Sequence, residues 1–382
     1  MKLKSFLLLA AGHFLADFYL NFMPALLPPL AERLHLTLGM AGLAMTGSLA
    51  AANFSQPVAG YLLGSRPRPG WLPLAVGASG VFMCGAAFSP SYAWLLVLPL
   101  LGGLANGVYH PVGSVLSYRL DARSAGLLIS LFSTAGAAGY AVGPAAAAAM
   151  LSRGGPPQLA MLAVPGVLVA GAMLAASWPP HPPDPPPSGE GLGEGGLRGA
   201  VLLLTVVMAL RAWGHLALSN YLVFFLQAQG WGYREAAGLL TWFLLAGAAG
   251  GLAGGRISDR VGRVPVIRFA LAAAALCGAL FLGTSGAARL AWLMACGAAV
   301  HASLPVMVVF AQELMPRHVG LAAGLSMGFC WGLGSLGVFF NGLLADAAGL
   351  TASFWMAVAV LAAGFLLALA LPSPPRTRLG DG

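Results

Sequence analysis

The sequence predicts an all-α membrane protein with twelve transmembrane helices in two pseudo-symmetric six-helix bundles. Three observations lead to this fold class. Of the 382 residues, 59% are hydrophobic and only 8% are charged, whereas soluble domains carry about 25% charged residues. Twelve apolar runs are long enough to cross a bilayer, and the two halves of the chain resemble each other. The composition argues against a soluble enzyme, a nucleic-acid-binding protein and a disordered chain.

A membrane-spanning helix needs about 20 mostly apolar residues. The segment 179–198 is rich in proline and glycine and has no apolar face, which is typical of a flexible linker. It divides an N-terminal bundle, 1–178, from a C-terminal bundle, 199–372, and residues 373–382 form a tail. The predicted spans, numbered 1 to 12 in chain order, are 6–28, 38–63, 72–88, 93–118, 125–151, 159–178, 199–227, 235–257, 265–284, 289–313, 319–344 and 353–371.

Basic residues are distributed unevenly between the predicted loops. If both termini are cytoplasmic, fourteen of the 19 lysines and arginines lie in cytoplasmic segments and four lie outside, while Arg211 lies within a span. Positive residues concentrate on the cytoplasmic side of membrane proteins. We therefore predict a multi-pass protein of the cytoplasmic (inner) membrane with a cytoplasmic linker and tail. This topology accounts for the net charge of +8 without a nucleic-acid partner.

The two halves match at an offset of 194 residues. Pro111 of span 4 corresponds to Pro305 of span 10, and Asp17 of span 1 corresponds to Arg211 of span 7. Transporters built from two parallel repeats enclose a central site between the repeats. The offset therefore predicts that spans 1 and 7 face one cavity.

Asp17 and Arg211 are the charged residues nearest the middle of predicted spans. A charged side chain there costs about 2.5–3.5 kcal/mol on insertion scales, so its presence indicates function. His13, Asp17 and Asn21 are spaced four residues apart and share one helix face. We predict that Asp17 and His13 carry a proton, because access to water or to Arg211 can switch the protonation of Asp17. The alternative is a static ion pair between Asp17 and Arg211.

Arg211 is also a candidate for binding an anionic substrate, because its guanidinium matches the geometry of carboxylates, phosphates and phosphonates. No cofactor and no metal are predicted, since the histidines lack metal-ligand spacing. Packing between helices is the alternative role for each of the other polar residues. The further predicted substrate-binding residues are Trp213, His110, Tyr109, Asn21, Gln56, His215, Asn220 and His301.

Span 5 contains a glycine stripe that ends in a proline. Small residues at this spacing let a neighbouring helix approach closely, and the proline bends the helix. Ordinary small-residue packing is the alternative. The helix-packing residues are Gly136, Gly139, Gly143 and Pro144.

The loop between spans 8 and 9 combines glycines for a tight turn with charges that can pair across helix ends. Two charged residues at the same end of span 10 are predicted to join it in a conformational gate, with simple helix-end capping as the alternative. The predicted gate residues are Gly255, Asp259, Arg260, Gly262, Arg263, Glu313 and Arg317.

The segment from Gly255 to Arg263 resembles the loop signature of the major facilitator superfamily, Gly-x-x-x-Asp-Arg-x-Gly-Arg, at every specified position. The equivalent segment after span 2 has Gly64 where the signature has aspartate. The span 5 pattern is similar to the tail of the superfamily's antiporter motif. More narrowly, the chain resembles the fosmidomycin resistance protein group through the stretches Gly12-His13-Phe14…Asp17, Tyr109-His110-Pro111, Arg211-Ala-Trp213, Val309–Leu314 and Gly342–Asp346.

This resemblance implies a monomeric rocker-switch transporter with the major facilitator fold. It implies proton-driven antiport that exports a small drug-like or anionic compound and thereby confers drug resistance. The expected partners are that substrate, protons and the lipid bilayer. Two alternatives stay open, namely a proton-coupled importer of a sugar or organic acid and, from another class, a membrane enzyme or receptor. The loops are too short for an extramembrane domain, so no enzymatic activity is expected.

Overall fold

The computed structural model describes residues 2–63, 69–120, 125–176, 178, 194–315, 322 and 324–372, and the regular structure of these residues is entirely helical. The first six spans comprise α1 (Lys2–Leu20), α2 (Met23–Leu34), α3 (Leu38–Leu63), α4 (Trp71–Gly85), α5 (Tyr92–Leu120), α6 (Ala125–Gly154), α7 (Pro156–Ala160) and α8 (Ala163–Ala175). The last six comprise α9 (Glu194–Ala228), α10 (Tyr233–Val261), α11 (Arg263–Gly283), α12 (Gly286–Leu314) and α13 (Cys330–Ala368), with a π-helical turn at Leu325–Phe329 before α13. Most of the predicted linker and the whole predicted tail lie outside the described residues.

The helices account for the twelve predicted spans. Ten described segments are long and apolar enough to cross a membrane. The 26-residue helix α3 is not among these ten but is long enough for another crossing. The segment Leu325–Ala368 is 44 residues long and changes direction at Gly349, whose φ of 84° suits glycine, so it provides two crossings. The predicted bounds of span 2, 38–63, are those of α3.

Span 1 differs from the prediction because it is longer and is interrupted. Asn21 and Phe22 form a turn between α1 and α2, and Pro24 stands at the start of α2. A proline has no N–H to donate to the preceding turn, so the helix cannot continue through it without losing a hydrogen bond. The turn comes one helical turn after Asp17.

The helices form two bundles, an N-terminal bundle of α1–α8 and a C-terminal bundle of α9–α13. Within them, α1 packs on α6, α3 on α5, α10 on α12 and α13 on α9. The bundles meet along α3 with α13 and along α6 with α10. Large apolar side chains point outward, such as Leu252 and Phe269, each 74% exposed, while Arg211 is 1% exposed. This polarity is what a lipid-embedded protein requires.

The molecule has two ends along the helix axes. At the basic end, α1 begins and α10 meets α11, and Lys4, Arg256, Arg260, Arg263 and Arg268 lie there. At the opposite end, α2 is followed by α3 and α9 is followed by α10. We call it the closed end because the two bundles are hydrogen-bonded to each other there. The hydrogen bonds that the described residues make between the two bundles involve α2, the closed-end half of α3 and the segments that face them.

Candidate functional site

A cluster of four polar side chains, the N cluster, lies between α1 and α5. It consists of His13 and Asp17 on α1 and of Asn106 and His110 on α5. The Asp17 carboxylate lies 3.4 Å from His13 Nε2 and 3.1 Å from His110 Nε2. Asn106 Nδ2 donates to Asp17 Oδ1 at 3.3 Å, and His13 Nε2 lies 3.1 Å from His110 Nδ1. The structure thus brings the two predicted proton carriers, His13 and Asp17, together with His110.

His13 is held in a fixed orientation by α6. Its Nδ1 lies 2.7 Å from the carbonyl oxygen of Phe132, and its ring stacks on that of Phe132 at 3.9 Å between centroids. A ring held through one nitrogen presents its other nitrogen in a defined direction. Here that direction leads to Asp17 and His110.

The glycine stripe of α6 explains why α1 can lie so close. A Cβ on Gly136 would stand 2.6 Å from both Asp17 Oδ2 and His13 Nε2, and a Cβ on Gly139 would collide with the carbonyl oxygen of Phe14. Gly143 likewise faces the backbone of Phe18. The helix runs through Pro144 without interruption. Small residues are therefore placed where the N cluster needs room.

The N cluster is partly accessible. The side chains of His13, Asp17 and His110 are 7%, 14% and 24% exposed. Their ligand atoms lie within 4.8 Å of one another, a spacing that metal sites also use. In the structure the same atoms also lie within hydrogen-bond distance of one another.

A second group, the C cluster, lies at the corresponding position of the C-terminal bundle. It consists of Arg211 and His215 on α9, His301 on α12 and Trp331 on α13. The rings of His215 and His301 meet edge to face at 4.3 Å, and the Arg211 guanidinium lies 5.2 Å from the centre of the Trp331 ring. Arg211 Nε donates to the carbonyl oxygen of Val300 at 3.0 Å.

The C cluster has unpartnered donors. Within the described part of the chain, Arg211 Nη1 and Nη2 and both ring nitrogens of His215 have no hydrogen-bond partner, and neither has the buried hydroxyl of Tyr140 on α6. Arg211 is 1% and His215 0% exposed. A buried polar group without a partner costs about 1–3 kcal/mol and a charged one costs more. Arg211 therefore has two guanidinium nitrogens available to a further acceptor.

Asp17 and Arg211 do not pair with each other. Among the ion pairs of the described residues, Asp17 takes part in those with His13 and His110, and none includes Arg211. The static ion pair considered as an alternative is therefore absent from this conformation. Tyr140 interacts electrostatically with both Asp17 and Arg211, so its hydroxyl is near both charged groups.

Four predicted substrate-binding residues use their polar groups in contacts within their own bundle. The Tyr109 hydroxyl donates to the carbonyl of Leu9, Asn21 Nδ2 donates to that of Tyr140, and Asn220 Nδ2 donates to that of Leu216. Trp213 Nε1 donates to Asn341 Oδ1. Gln56 is half-buried on α3. Their role in substrate binding stays a prediction.

The predicted gate residues that the structure describes connect three helix ends within the C-terminal bundle. Arg263 on α11 donates to Asp259 at 2.6 Å, to Ser258 at 2.7 Å and to Glu313 on α12 at 3.1 Å. Gly262 joins α10 to α11 with a φ of 95°, which favours glycine. The remaining members are Gly255, half-buried, and Arg260, exposed, while Arg317 lies outside the described residues.

The closed end is held by contacts between the two bundles. Asp346 on α13 accepts hydrogen bonds from the backbone N–H groups of Leu38 and Gly39, at 2.7 Å each. The Tyr233 hydroxyl donates to the carbonyl of Ala25 at 2.6 Å. A carboxylate at the start of α3 is favourable because helix N-termini attract negative charge. These contacts must break for the closed end to open.

Sequence reasoning missed Asn106, Phe132, Tyr140 and Trp331 as members or neighbours of the clusters. Asn106 lies one turn before His110 on α5 and could have been found from that spacing. Phe132 contributes a backbone carbonyl, which leaves no sequence signal. Tyr140 and Trp331 resemble other aromatic residues of the spans, and only their positions in space distinguish them.

A family model described as Major Facilitator Superfamily matches residues 7–337 and 204–381. The uncharacterized MFS-type transporter YfnC of Bacillus subtilis (strain 168) is 29% identical over 383 residues, covering 96% of this chain and 92% of the relative. The fosmidomycin resistance protein of Escherichia coli (strain K12) is 27% identical over 350 residues, covering 88% of this chain and 85% of the relative.

Solved structures share the fold. A bacterial homologue of the human lysosomal transporter Spinster, in an inward-facing and unoccupied conformation, superposes with a TM-score of 0.82 at 16% identity, covering 98% of this chain and 99% of that chain. The nucleoside transporter NupG superposes with a TM-score of 0.73 at 16% identity, covering 97% and 98%. These structures support the architecture of two six-helix bundles.

Proposed function

This chain belongs to the major facilitator superfamily, and on that premise we propose that it is a proton-coupled antiporter that exports a small anionic or drug-like compound. As a member of this superfamily it is a multi-pass membrane transporter and not an enzyme. The observation that carries the proposal is the contrast at two repeat-related positions. Asp17 lies in a hydrogen-bonded cluster that can hold a proton, and Arg211 is a buried cation with unpartnered donors.

The N cluster suits proton binding. Asp17, His13 and His110 are mutually within hydrogen-bond range, so a proton on any of them is stabilised by the others. Partial exposure of Asp17 and His110 gives the proton a route to water. Coupling further requires that the proton bind the inward-facing and outward-facing states with different affinity, and Asp17, one turn before the α1–α2 break, is close to a point where α1 can change direction.

The C cluster suits an anion. Arg211 presents two unpartnered guanidinium nitrogens, and an oxyanion can accept from both at once. The Trp331 ring stabilises the cation through its π-electrons without using these donors. The similarity to a fosmidomycin resistance protein suggests fosmidomycin, an anionic phosphonate, as the first compound to test.

The cycle we propose is a rocker switch about the interface of the bundles. The positive-inside rule places the basic end, both termini, the linker and the tail in the cytoplasm. The closed end then faces outward, so this conformation suits the step after a proton has been carried inward and before substrate binds. Opening of the closed end breaks the Asp346 contacts with α3, and closing of the basic end engages the Asp259–Arg263–Glu313 group. Each chain holds both clusters, so we infer that it works as a monomer.

One observation favours a second candidate, proton-coupled import of an organic acid. An anion at Arg211 and a proton at the N cluster carry opposite charges, so each favours binding of the other. Favourable co-binding is the coupling sign of a symporter. The direction in which a proton gradient drives the substrate separates the two candidates.

The test is transport of radiolabelled fosmidomycin into inverted membrane vesicles that contain the wild-type chain or the Asp17→Asn variant. Antiport predicts accumulation when the vesicle interior is acidic, and loss of that accumulation in Asp17→Asn. Symport predicts that an acidic interior instead drives the compound out. Wild-type uptake that ignores the proton gradient would contradict both candidates. Tyr19→Phe is a suitable control, because Tyr19 bonds the backbone of Leu162 and belongs to neither cluster.

A further inference from the structure

The hydrogen-bond partners of the N cluster determine how many protons it holds. A backbone carbonyl oxygen only accepts hydrogen bonds. The 2.7 Å contact between His13 Nδ1 and the Phe132 carbonyl therefore requires a proton on Nδ1. In a neutral His13 the other ring nitrogen, Nε2, then carries a lone pair.

His110 bridges His13 and Asp17 with both of its ring nitrogens. Its Nδ1 lies 3.1 Å from His13 Nε2, and its Nε2 lies 3.1 Å from Asp17 Oδ1. A neutral imidazole has one N–H group, so it can donate in one of these contacts and not in the other. With Asp17 ionised and both histidines neutral, one contact would place two lone pairs against each other. One additional proton removes this conflict.

A second additional proton does not fit. With both imidazoles protonated, His13 and His110 would direct two N–H groups at each other across the 3.1 Å contact. With Asp17 and His110 both protonated, the single lone pair of His13 Nε2 would face two donors. With His13 and Asp17 both protonated, the His13 Nε2–H and the acid O–H on Oδ2 would face each other across the 3.4 Å contact. The cluster therefore accommodates one proton beyond the two neutral rings and the carboxylate.

The orientation of Asn106 leaves this count unchanged. In the structure, Asn106 Nδ2 donates to Asp17 Oδ1 and the Asn106 amide oxygen lies 3.2 Å from His110 Nε2, so His110 Nε2 must donate. In the reversed orientation, the amide oxygen would face Asp17 Oδ1, and Asp17 would have to carry the proton. Either orientation requires the same additional proton.

We propose that the N cluster holds one exchangeable proton in this conformation, shared between Asp17 and the two imidazoles, with His110 as the indispensable bridge. This inference rests on the proposed proton coupling and specifies it as one proton per transport cycle. On release of the proton, a 3.1 Å contact becomes repulsive. The carboxylate is then free to leave His110, and the coupling of α1 to α5 is weakened.

The surroundings of Asp17 are consistent with a cluster of zero net charge in the protonated state. Asp17 interacts with His13 on its own helix, with His110 on α5 and with Tyr140 on α6. The Arg211 cation of the other bundle interacts in turn with Tyr140. Once the proton leaves, the N cluster is negative, and Tyr140 interacts with both this cluster and Arg211. The titratable groups that interact with Asp17 are His13 on α1, Tyr109 and His110 on α5 and Tyr140 on α6.

The experiment counts protons on the purified full-length chain in detergent. The pH of a weakly buffered solution is lowered from about 8 to about 5, a range in which an imidazole–carboxylate group exchanges its proton, and uptake is read with an indicator dye. The variants are Asp17→Asn and His110→Gln, with His215→Gln as the matched control. His215 lies in the same edge-to-face histidine geometry but has no carboxylate beside it.

The wild type and His215→Gln should each take up one proton more than Asp17→Asn. His110→Gln should match Asp17→Asn although the carboxylate is intact, because the glutamine amide donates to Asp17 without an extra proton. Uptake by His110→Gln equal to that of the wild type would overturn the proposal, and so would a difference of two protons between wild type and Asp17→Asn. If His110→Gln is not monodisperse, His110→Asn replaces it. If the wild type still takes up one proton more than Asp17→Asn but its transport does not respond to the proton gradient, the proposed function is refuted and the proton count of the N cluster stands.

Discussion

The two clusters share a scaffold and differ in how well their polar groups are satisfied. His13 and His110 meet edge to face at 4.8 Å and 85°, and His215 and His301 meet at 4.3 Å and 82°. Each pair joins the first and fourth spans of its bundle. In the N cluster the neighbouring charge is a carboxylate with three partners, whereas in the C cluster it is a guanidinium with two unpartnered nitrogens.

This difference shows how a duplicated scaffold supports two tasks. A satisfied network is stable as it stands and changes when a proton leaves. An unsatisfied buried cation is costly until an anion arrives. In the proposed function, the repeat therefore provides the geometry, and the identities of residues 17 and 211 decide which bundle binds the proton and which one receives the substrate.

The largest expected effect is on stability: apolar substitutions of Asp17 and of Arg211 should change the free energy of unfolding with opposite signs. Asp17→Leu removes the partner of His110 and Asn106, and breaking such a buried pair costs about 3 kcal/mol. Arg211→Met removes a buried charge with two unpartnered donors and should stabilise the fold by about 2 kcal/mol, while abolishing transport. Thermal unfolding in detergent measures both. A destabilisation of similar size in both variants would contradict the contrast between the clusters.

Alanine substitutions of glycines beside the two clusters should also differ in their cost in stability, with the larger cost at the N cluster. An alanine at Gly136 would place its Cβ 2.6 Å from Asp17 Oδ2 and His13 Nε2, and overpacking of this kind costs about 1–3 kcal/mol. An alanine at Gly247 would stand 2.5 Å from His301 Nδ1. His301 bonds the carbonyl of Gly297 on its own helix and can turn away, so the cost should be about 1 kcal/mol.

Both glycine variants are compared by unfolding and by gradient-driven transport. Gly238→Ala on α10 is the control, because a Cβ there meets nothing within 4 Å. Gly136→Ala should lose proton coupling, and Gly247→Ala should keep it. Equal losses of stability and of gradient-driven transport in the two variants would show that the N cluster is no more tightly packed than the C cluster.

The smallest expected change in stability comes from replacing His13 on α1 or His215 on α9 by phenylalanine. His13→Phe leaves the Phe132 carbonyl and His110 Nδ1 without a partner, at about 1–2 kcal/mol. His215→Phe removes two unpartnered nitrogens and keeps the stack on Phe243, so stability should change by no more than about 0.5 kcal/mol. Denaturation curves distinguish the two, and a larger loss for His215→Phe would indicate a partner for that ring.

The sequence was sufficient for the architecture, because apolar length, loop charge and the 194-residue repeat follow directly from the constraints of a bilayer. It also singled out Asp17, His13 and Arg211 as candidates, since polar and charged groups within a span are costly, and their roles stay predictions. The helix bounds of span 1 were less accurate, because the turn at Asn21 depends on Pro24 and on packing against α6. The Gly255–Arg263 motif predicted a charged group at the helix ends, and the structure adds that its described contacts stay within one bundle.

The partners within the site could not be deduced in the same way. His110 was predicted to bind substrate, and only the crossing of α1 and α5 reveals its contact with Asp17. The Phe132 carbonyl that orients His13 has no side-chain identity to recognise. The unpartnered state of Arg211 is a property of packing in three dimensions, which neither spacing nor composition encodes.

The central claim is that the proton and the substrate are handled by separate clusters, and substrate exchange tests it most directly. Proteoliposomes with equal fosmidomycin concentrations on both sides report exchange without a gradient. We expect Asp17→Asn to exchange fosmidomycin as the wild type does and to lose only gradient-driven accumulation, while Arg211→Gln loses both. Loss of exchange in Asp17→Asn, or normal exchange in Arg211→Gln, would contradict the account.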